Sequence, residues 1–213
     1  ENFKTGGLAR YGLDYASLSA LNPRLIYCSI TGFGQTGPYA PRAGYDFLAQ
    51  GMGGIMSING DPSTPPQKVA VAVTDIICGI YSVVGILAAL QHRHLTGRGQ
   101  QVDLALLDTQ VSWLANVGLQ YLTSGVIPKQ FGNEHPSIVP YSVVPSSDGH
   151  FILAVGNDRQ FAEFAKFAGK PEWAEDERFK TNPGRVRNRV ECYRLIHEVT
   201  SLKPMHYWIE GLT

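Results

Sequence analysis

The chain has 213 residues, 18 Lys plus Arg against 18 Asp plus Glu, and 44% apolar residues. Balanced charge gives no support to a general nucleic-acid-binding or acidic-membrane surface, and the length suffices to bury a core in one large domain or parts of two. Cys28, Cys78 and Cys192 are odd in number and far apart, so buried free thiols in a reducing compartment are expected rather than disulfides or a metal site.

Residues 1–10 are polar, with Gly6 and Gly7 allowing tight turns and Lys4 and Arg10 supplying positive charge. Turn amides and Arg suit anionic oxygens, although two solvated cations on a loop would read the same way. Residues 13–21 form a short amphipathic helix closed by Asn22-Pro23, because a residue before Pro is pushed out of helical angles. Residues 24–30 then read as a strand with bulk on both faces, the pattern of an interior parallel strand. Residues 31–41 hold three glycines and two prolines and make an irregular loop at the carboxyl end of that strand, the edge where open α/β sheets bind ligands. Tyr45 and Asp46 open a helix to Gly51, and glycine- and proline-rich residues 51–67 cross irregularly to the next element.

Residues 71–108 carry the strongest pattern. Thr74 and Asp75 stand where a short polar side chain can cap a helix, and the segment behind them is almost uncharged. Ile76, Ile77, Ile80, Val83, Val84, Leu87 and Leu90 cover most of its circumference, so burial on more than one side is expected, as a layer against a sheet. Its polar and glycine interruptions favour a buried globular helix over a membrane span. The macrodipole favours an ionised Asp75 at this end by about 0.3–1 kcal/mol, leaving two readings open, cap or nucleophile. Gly97 and Gly99 turn the chain, residues 101–107 form a second buried strand and residues 108–121 the next helix. That order predicts a parallel α/β layer with right-handed crossovers.

Composition changes after Thr123. Residues 124–141 read as a linker or active-site loop, separating a large unit (1–123) from a smaller one (142–213). In the smaller unit, residues 142–144 and 150–155 predict a hairpin through Asp148-Gly149. Asp158 is placed to cap a helix, and Asn182-Pro183 opens another whose Arg185, Arg187, Arg189 and Arg194 are expected on a solvated face.

Five ordered stretches resemble the class III CoA-transferases: ENFKTGGLARYGLDY, NPRLIYCSITGFGQTGP, AGYDFLAQGMGG, VTDIICGIYSVVGILAAL and TGRGQQVDLALLD. The resemblance implies an α/β fold, part of a Rossmann-like parallel-sheet domain followed by an α+β small domain, both incomplete within a chain about half the family's length. It makes Asp75 the covalent nucleophile, with Tyr45 and Asp46 thirty and twenty-nine residues ahead of it at the active-site pair. Asn2, Phe3, Lys4, Arg10, Arg42, Ala43 and Gly44 match positions lining the coenzyme A pocket. Coenzyme A or acyl-CoA is then a substrate and no metal is required. Expected partners are acyl-CoA, small carboxylic acids and a second copy in an interlocked homodimer, with neither nucleic acid nor membrane, in the cytoplasm or the mitochondrial matrix of a eukaryote.

Residues 132–141, GNEHPSIVPY, resemble the branch that moves CoA between dicarboxylates such as succinate and glutarate. Arg42 and His135 are the visible candidates to meet a second carboxylate. Backbone amides at Gly51 to Gly54 or around Gly132 are candidate oxyanion donors. The related 2-methylacyl-CoA racemases carry His where this chain has Tyr45, because removing an α-proton needs a base titrating near neutrality. Racemase-type isomerisation is thus the alternative within the superfamily, and a CoA-binding module without turnover the alternative outside it.

Overall fold

The computed structural model describes residues 1–212 and is a mixed α/β structure. Its internal contacts divide it into two compact units, Glu1–Gln130 and Phe131 onward; residues 125–140 contain neither helix nor strand.

In the first unit, Tyr15–Leu21 (α1) starts at Asp14, whose Oδ1 accepts the Ser17 N–H at 3.1 Å. Tyr27–Thr31 (β1) follows, then Asp46–Met52 (α2), Ile55–Ile58 (α3), Val73–Thr96 (α4) and Gln101–Ala105 (β2). The chain continues into Leu106–Ser112 (α5) and Ala115–Ser124 (α6). β1 and β2 pair in parallel, Tyr27 opposite Gln101 through Thr31 opposite Ala105, so the helices between them form the crossover that a parallel pair requires. On the other edge of β1, the Glu1 nitrogen donates to the Cys28 carbonyl and the Glu1 carbonyl accepts from Ile30 N–H, at 2.8 and 2.9 Å. Two bonds that bracket one residue in this way are the parallel-ladder pattern, and they place β1 between partners.

Three expectations change in this unit. The second strand ends at Ala105 and helix begins at once, because Leu106, Thr109 and Gln110 form a buried face at helical spacing. The expected single helix over 108–121 is broken at Trp113-Leu114, where Ala115 takes a left-handed φ of 44°, a region non-glycine residues seldom occupy. The third change concerns α4. It packs on β1, β2, α2 and α5, burying one stripe that includes Val73, Ile77, Cys78, Ser82 and Ala89. Ile76, Ile80, Val83, Val84 and Leu87 are each 55–59% exposed. Burial on more than one side would need a second layer, and among the described residues no element covers that face. By length and composition alone α4 could cross a bilayer; here one of its faces packs on a sheet and two helices.

The second unit begins with the expected hairpin, Tyr141–Ser146 (β3) antiparallel to Gly149–Ala154 (β4). Helices Asp158–Phe167 (α7), Asn182–Arg187 (α8), Arg189–Thr200 (α9) and Met205–Leu212 (α10) surround it, with a 3-10 turn at Pro171–Ala174. Its core includes Val144, Phe151, Phe161, Phe164, Ile196 and Trp208, each at most 7% exposed. The α7 cap is Asn157, whose Oδ1 accepts Gln160 N–H at 2.9 Å, and not Asp158. Asp158 instead accepts from Asn182 N–H at 2.7 Å and from Arg185 at 2.8 Å.

Arg185 also departs from the expected solvated face: it is fully buried. Its guanidinium donates to the Val139 and Phe179 carbonyls at 2.6 and 2.7 Å and lies 4.3 Å from the Phe161 ring centroid. A cation can leave water here because its donors have acceptors and its flat face meets an aromatic ring. Arg189 is half-buried against Glu134 at 3.0 Å, while Arg194 is exposed and pairs with Glu191 and Glu198.

Replacing Arg185 by Ala would leave the Val139 and Phe179 carbonyls without this donor, while the half-exposed Asp158 keeps Asn182 N–H. The expected cost is about 2–4 kcal/mol, measured as a lowered midpoint in denaturant with unchanged slope; a loss under 1 kcal/mol would contradict the buried-clamp role.

Candidate active site

At the carboxyl end of β1 the first unit encloses a cavity of ≈ 580 Å³. Its walls come from residues 2–5, the end of β1 with Gly32, residues 41–46, Leu106, and Asp75 with Gly79 on α4. Of the ten candidate positions, nine lie on these walls: Asn2, Phe3, Lys4, Arg42, Ala43, Gly44, Tyr45, Asp46 and Asp75. Arg10 does not. It sits in the turn Ala9–Tyr11 with its guanidinium 4.7 Å from the Tyr11 ring.

Local structure explains the convergence. A Cβ added to Gly44 would come within 2.3 Å of the Gly32 Cα, and one added to Gly32 within 2.4 Å of the Gly44 Cα. Real side chains cannot occupy such space, so this backbone crossing requires glycine at both positions. It brings the Tyr45 segment against the loop leaving β1. Tyr45 then takes the residue position before α2 in extended conformation, 74% exposed. Gly79, one turn after Asp75 on α4, has nothing within 4 Å of its missing Cβ, which leaves open space beside the carboxylate.

The amino end of α4 is not capped by Thr74 or Asp75. The helix starts at Val73, the preceding Ala72 has no capping side chain, and both polar residues fall inside the first turn. Asp46 supplies the acceptor from α2: its Oδ1 accepts Thr74 N–H at 2.8 Å, and its Oδ2 accepts from Gln50 Nε2 at 2.8 Å. The Thr74 hydroxyl, also buried, donates to Gln110 Oε1 on α5 at 2.9 Å.

Asp46 and Asp75 are thereby different carboxylates. Asp46 is held at both oxygens, whereas among the described residues no donor reaches the Asp75 carboxylate. Burial, and secondarily the Asp46 charge, pushes the Asp75 carboxyl above the ordinary Asp value. The dipole of α4 favours ionisation, but the balance is upward, against the simple expectation from a helix terminus. Asp75 nevertheless remains an exposed residue on the cavity wall. Cys78, one turn below it, is buried, and that burial pushes its thiol up. A thiol kept protonated is a poor nucleophile.

The expected oxyanion donors at Gly53 and Gly54 are already engaged, their N–H groups bonded to Ala49 and Gly51 carbonyls at 2.8 and 3.4 Å, and neither lines the cavity. His135 belongs to the second unit, where its ring lies against Tyr141 at 5.4 Å. Sequence reasoning missed Gln50 and Gln110. Their signals were present: Gln50 is four residues after Asp46 on the same helical face, and Gln110 is four residues after Leu106 at the same helical spacing. Among the described residues no group of three His, Cys, Asp or Glu side chains is placed to hold a metal.

The family model described as CoA-transferase family III matches residues 1–213. A succinate–glutarate CoA-transferase of Agrobacterium fabrum is 57% identical over 200 residues, covering 94% of this chain and 50% of the relative. The human succinyl-CoA:glutarate CoA-transferase is 39% identical over 198 residues, covering 93% and 45%. A crystal structure of a CAIB/BAIF family protein from Brucella suis superposes with a TM-score of 0.85 at 54% identity, covering 100% of this chain and 56% of that one. The chain spans about half the length of the curated relatives it matches.

The raised Asp75 carboxyl carries a stability consequence. A carboxyl whose folded pKa exceeds its unfolded value adds stability below the unfolded pKa and loses that contribution as pH rises through the folded one. At neutral pH ionised Asp75 is therefore a liability, and Asp75→Asn should raise the melting temperature at pH 7. The gain should shrink toward pH values of about 4 and below. A variant that melts lower than the parent at pH 7 would contradict this assignment.

Proposed function

The chain belongs to CoA-transferase family III, and on that premise we propose that it carries the nucleophile and part of the coenzyme A site of an enzyme that moves CoA between carboxylic acids, dicarboxylates foremost. The observation that carries the reading is the contrast between the two cavity carboxylates. One is fixed by hydrogen bonds and the other, on the adjoining helix terminus, is free to react. The dicarboxylate preference rests on the names of the two relatives and on residues 132–141.

In the proposed cycle, a carboxylate oxygen of Asp75 attacks the donor thioester carbonyl. The carbon–sulfur bond breaks, CoA leaves as thiolate, and a mixed anhydride joins Asp75 to the acyl group. The thiolate then attacks the Asp75 carbonyl carbon, releasing the first acid as its carboxylate and leaving an aspartyl-CoA thioester. The acceptor carboxylate attacks that thioester, expelling the thiolate and forming a second anhydride. Attack of the thiolate on the acceptor's carbonyl completes the new acyl-CoA and returns Asp75 as carboxylate. No net proton is taken up, so the cycle needs a positioned nucleophile and a shielded thiolate rather than a general base. An Asp75 carboxyl raised above the ordinary range is also a more basic, hence stronger, nucleophile once ionised. Lys4 and Asn2 on the cavity wall are suited to the anionic and amide parts of coenzyme A. Tyr45 is placed to pack on the acyl or pantetheine portion.

Asp75→Ala in the full-length protein should abolish transfer from succinyl-CoA to a dicarboxylate acceptor without unfolding the chain, since no hydrogen bond to the Asp75 side chain is lost. Incubation of the parent with acyl-CoA and no acceptor should leave an adduct on the Asp75 peptide. Transfer at the parental rate by folded Asp75→Ala would refute the assignment. For the isomerase alternative, a 2-methylacyl-CoA incubated in deuterated water should retain its α-hydrogen, because Tyr45 stands in place of the His that serves such isomerases as base. Rapid exchange would favour that alternative.

A further inference from the structure

The cavity wall is held from behind by two buried amides, and the one on α2 has a role that its chemistry defines. Gln50 is completely buried. Its Nε2 donates to Asp46 Oδ2 at 2.8 Å, with longer approaches to the Val71 and Val69 carbonyls at 3.4 and 3.5 Å, and its Oε1 accepts Val69 N–H at 2.8 Å. The amide is therefore oriented at both ends. Val69 N–H can only donate, so Oε1 must face it, and Nε2 must face α2. Asp46 in turn meets two donors, Gln50 Nε2 at one oxygen and Thr74 N–H at the other. A carboxylate satisfies both; an Asn in its place would leave one donor facing another donor.

We propose that Gln50 is a positioning residue for Asp75: through Asp46 it fixes the first turn of α4, and through Val69 it fixes the segment that enters that turn. Gln50 touches neither the cavity nor the reacting atoms. Its effect runs from its Nε2 to Asp46, from Asp46 to Thr74 N–H, and from Thr74 to the next residue, Asp75. This role rests on the nucleophile reading of Asp75.

Glutamate at this position supplies a test that a merely space-filling side chain would not pass. Protonated Glu can donate O–H to Asp46 and accept Val69 N–H through its carbonyl, reproducing the amide's pattern. Ionised Glu presents an acceptor to an acceptor, with like charges in hydrogen-bond contact. The other titratable groups on the elements packed against this pair are Asp75 and Cys78 in the first turns of α4, with Tyr81, His92, Arg93 and His94 further along it, Asp108 on α5 and Lys68 on the entering segment; α3 carries none. Of these, Asp75 is the one whose charge adds to the repulsion on Asp46.

The experiment compares Gln50→Glu and Gln50→Leu with the parent in the full-length protein, from pH 5 to pH 8. Three quantities are read: the rate of adduct formation on the Asp75 peptide after mixing with succinyl-CoA, the affinity for CoA by calorimetry, and circular dichroism. At pH 8 both variants should form the adduct more slowly by a factor on the order of a hundred, with CoA affinity within about twofold of the parent. As pH falls to 5, the rate of Gln50→Glu relative to the parent should recover about tenfold, while that of Gln50→Leu stays level. A flat Gln50→Glu ratio, parental rates in Gln50→Leu, or a loss of CoA affinity that accounts for the slower rate would each overturn the proposal. If Gln50→Leu does not fold, the Gln50→Glu comparison between the two ends of the pH range decides within one protein. Asp75→Ala run alongside separates the levels. Normal turnover there refutes the nucleophile itself, whereas an inactive Asp75→Ala beside parental Gln50 variants refutes only the positioning role.

Discussion

The bond from Thr74 N–H to the Asp46 carboxylate is the constraint on which the cavity depends. Four amide hydrogens at the start of any helix lack partners within it, and most helices meet that need with a local side chain. Here α4 begins Ala-Val-Thr, with no acceptor at the capping position, and α2 supplies the acceptor across the fold. A long-range cap stabilises by an amount similar to a local one, about 1 kcal/mol. It also does what a local cap cannot, since it fixes the distance between two helices that each bring a carboxylate to the same wall. The Thr74 hydroxyl and Gln110 extend the same link to α5, so three helices are tied at the point where the proposed chemistry takes place.

Much of this arrangement was legible in the residues. The glycine-bearing loop after β1, the Tyr45-Asp46 pair and the carboxylate at the mouth of an apolar helix can each be read from composition and spacing, and ordered motifs carried them to a family. What the sequence concealed was direction. Asp75 and Thr74 have the composition of cap residues, and only the fold shows that the capping oxygen comes from Asp46. In the same way Asp158 looks like a helix cap and is an ion-pair partner, and Arg185 looks solvated and is buried. Each of these errors has one origin. Short-range rules assign a polar side chain to its own helix, while the partner that settles its role lies tens of residues away.

The second obscured feature is α4 itself. Apolar residues over most of its circumference predicted burial on more than one side, yet in this chain one face rests on β1, β2, α2 and α5 and the other is open, with Ile76, Ile80, Val83, Val84 and Leu87 more than half exposed. A sequence pattern reports the environment for which a helix is suited, whereas solvent exposure reports what the 213 residues supply. The amino end of the helix is ordered by the polar ties to α2 and α5, which are complete within the first unit. The placement of Asp75 therefore does not depend on the apolar face being covered.

The Gly32–Gly44 crossing has its own consequence for the two loops it joins. Side-chain contacts can loosen through rotamer exchange on the picosecond-to-nanosecond scale, but two α-carbons in contact have no rotamers to exchange. The separation between the strand-end loop and the Tyr45 segment is accordingly a hard stop. The two segments can spread apart but cannot close further, and the narrowest width of the cleft at that end is set by bare backbone, indifferent to which side chains line the rest.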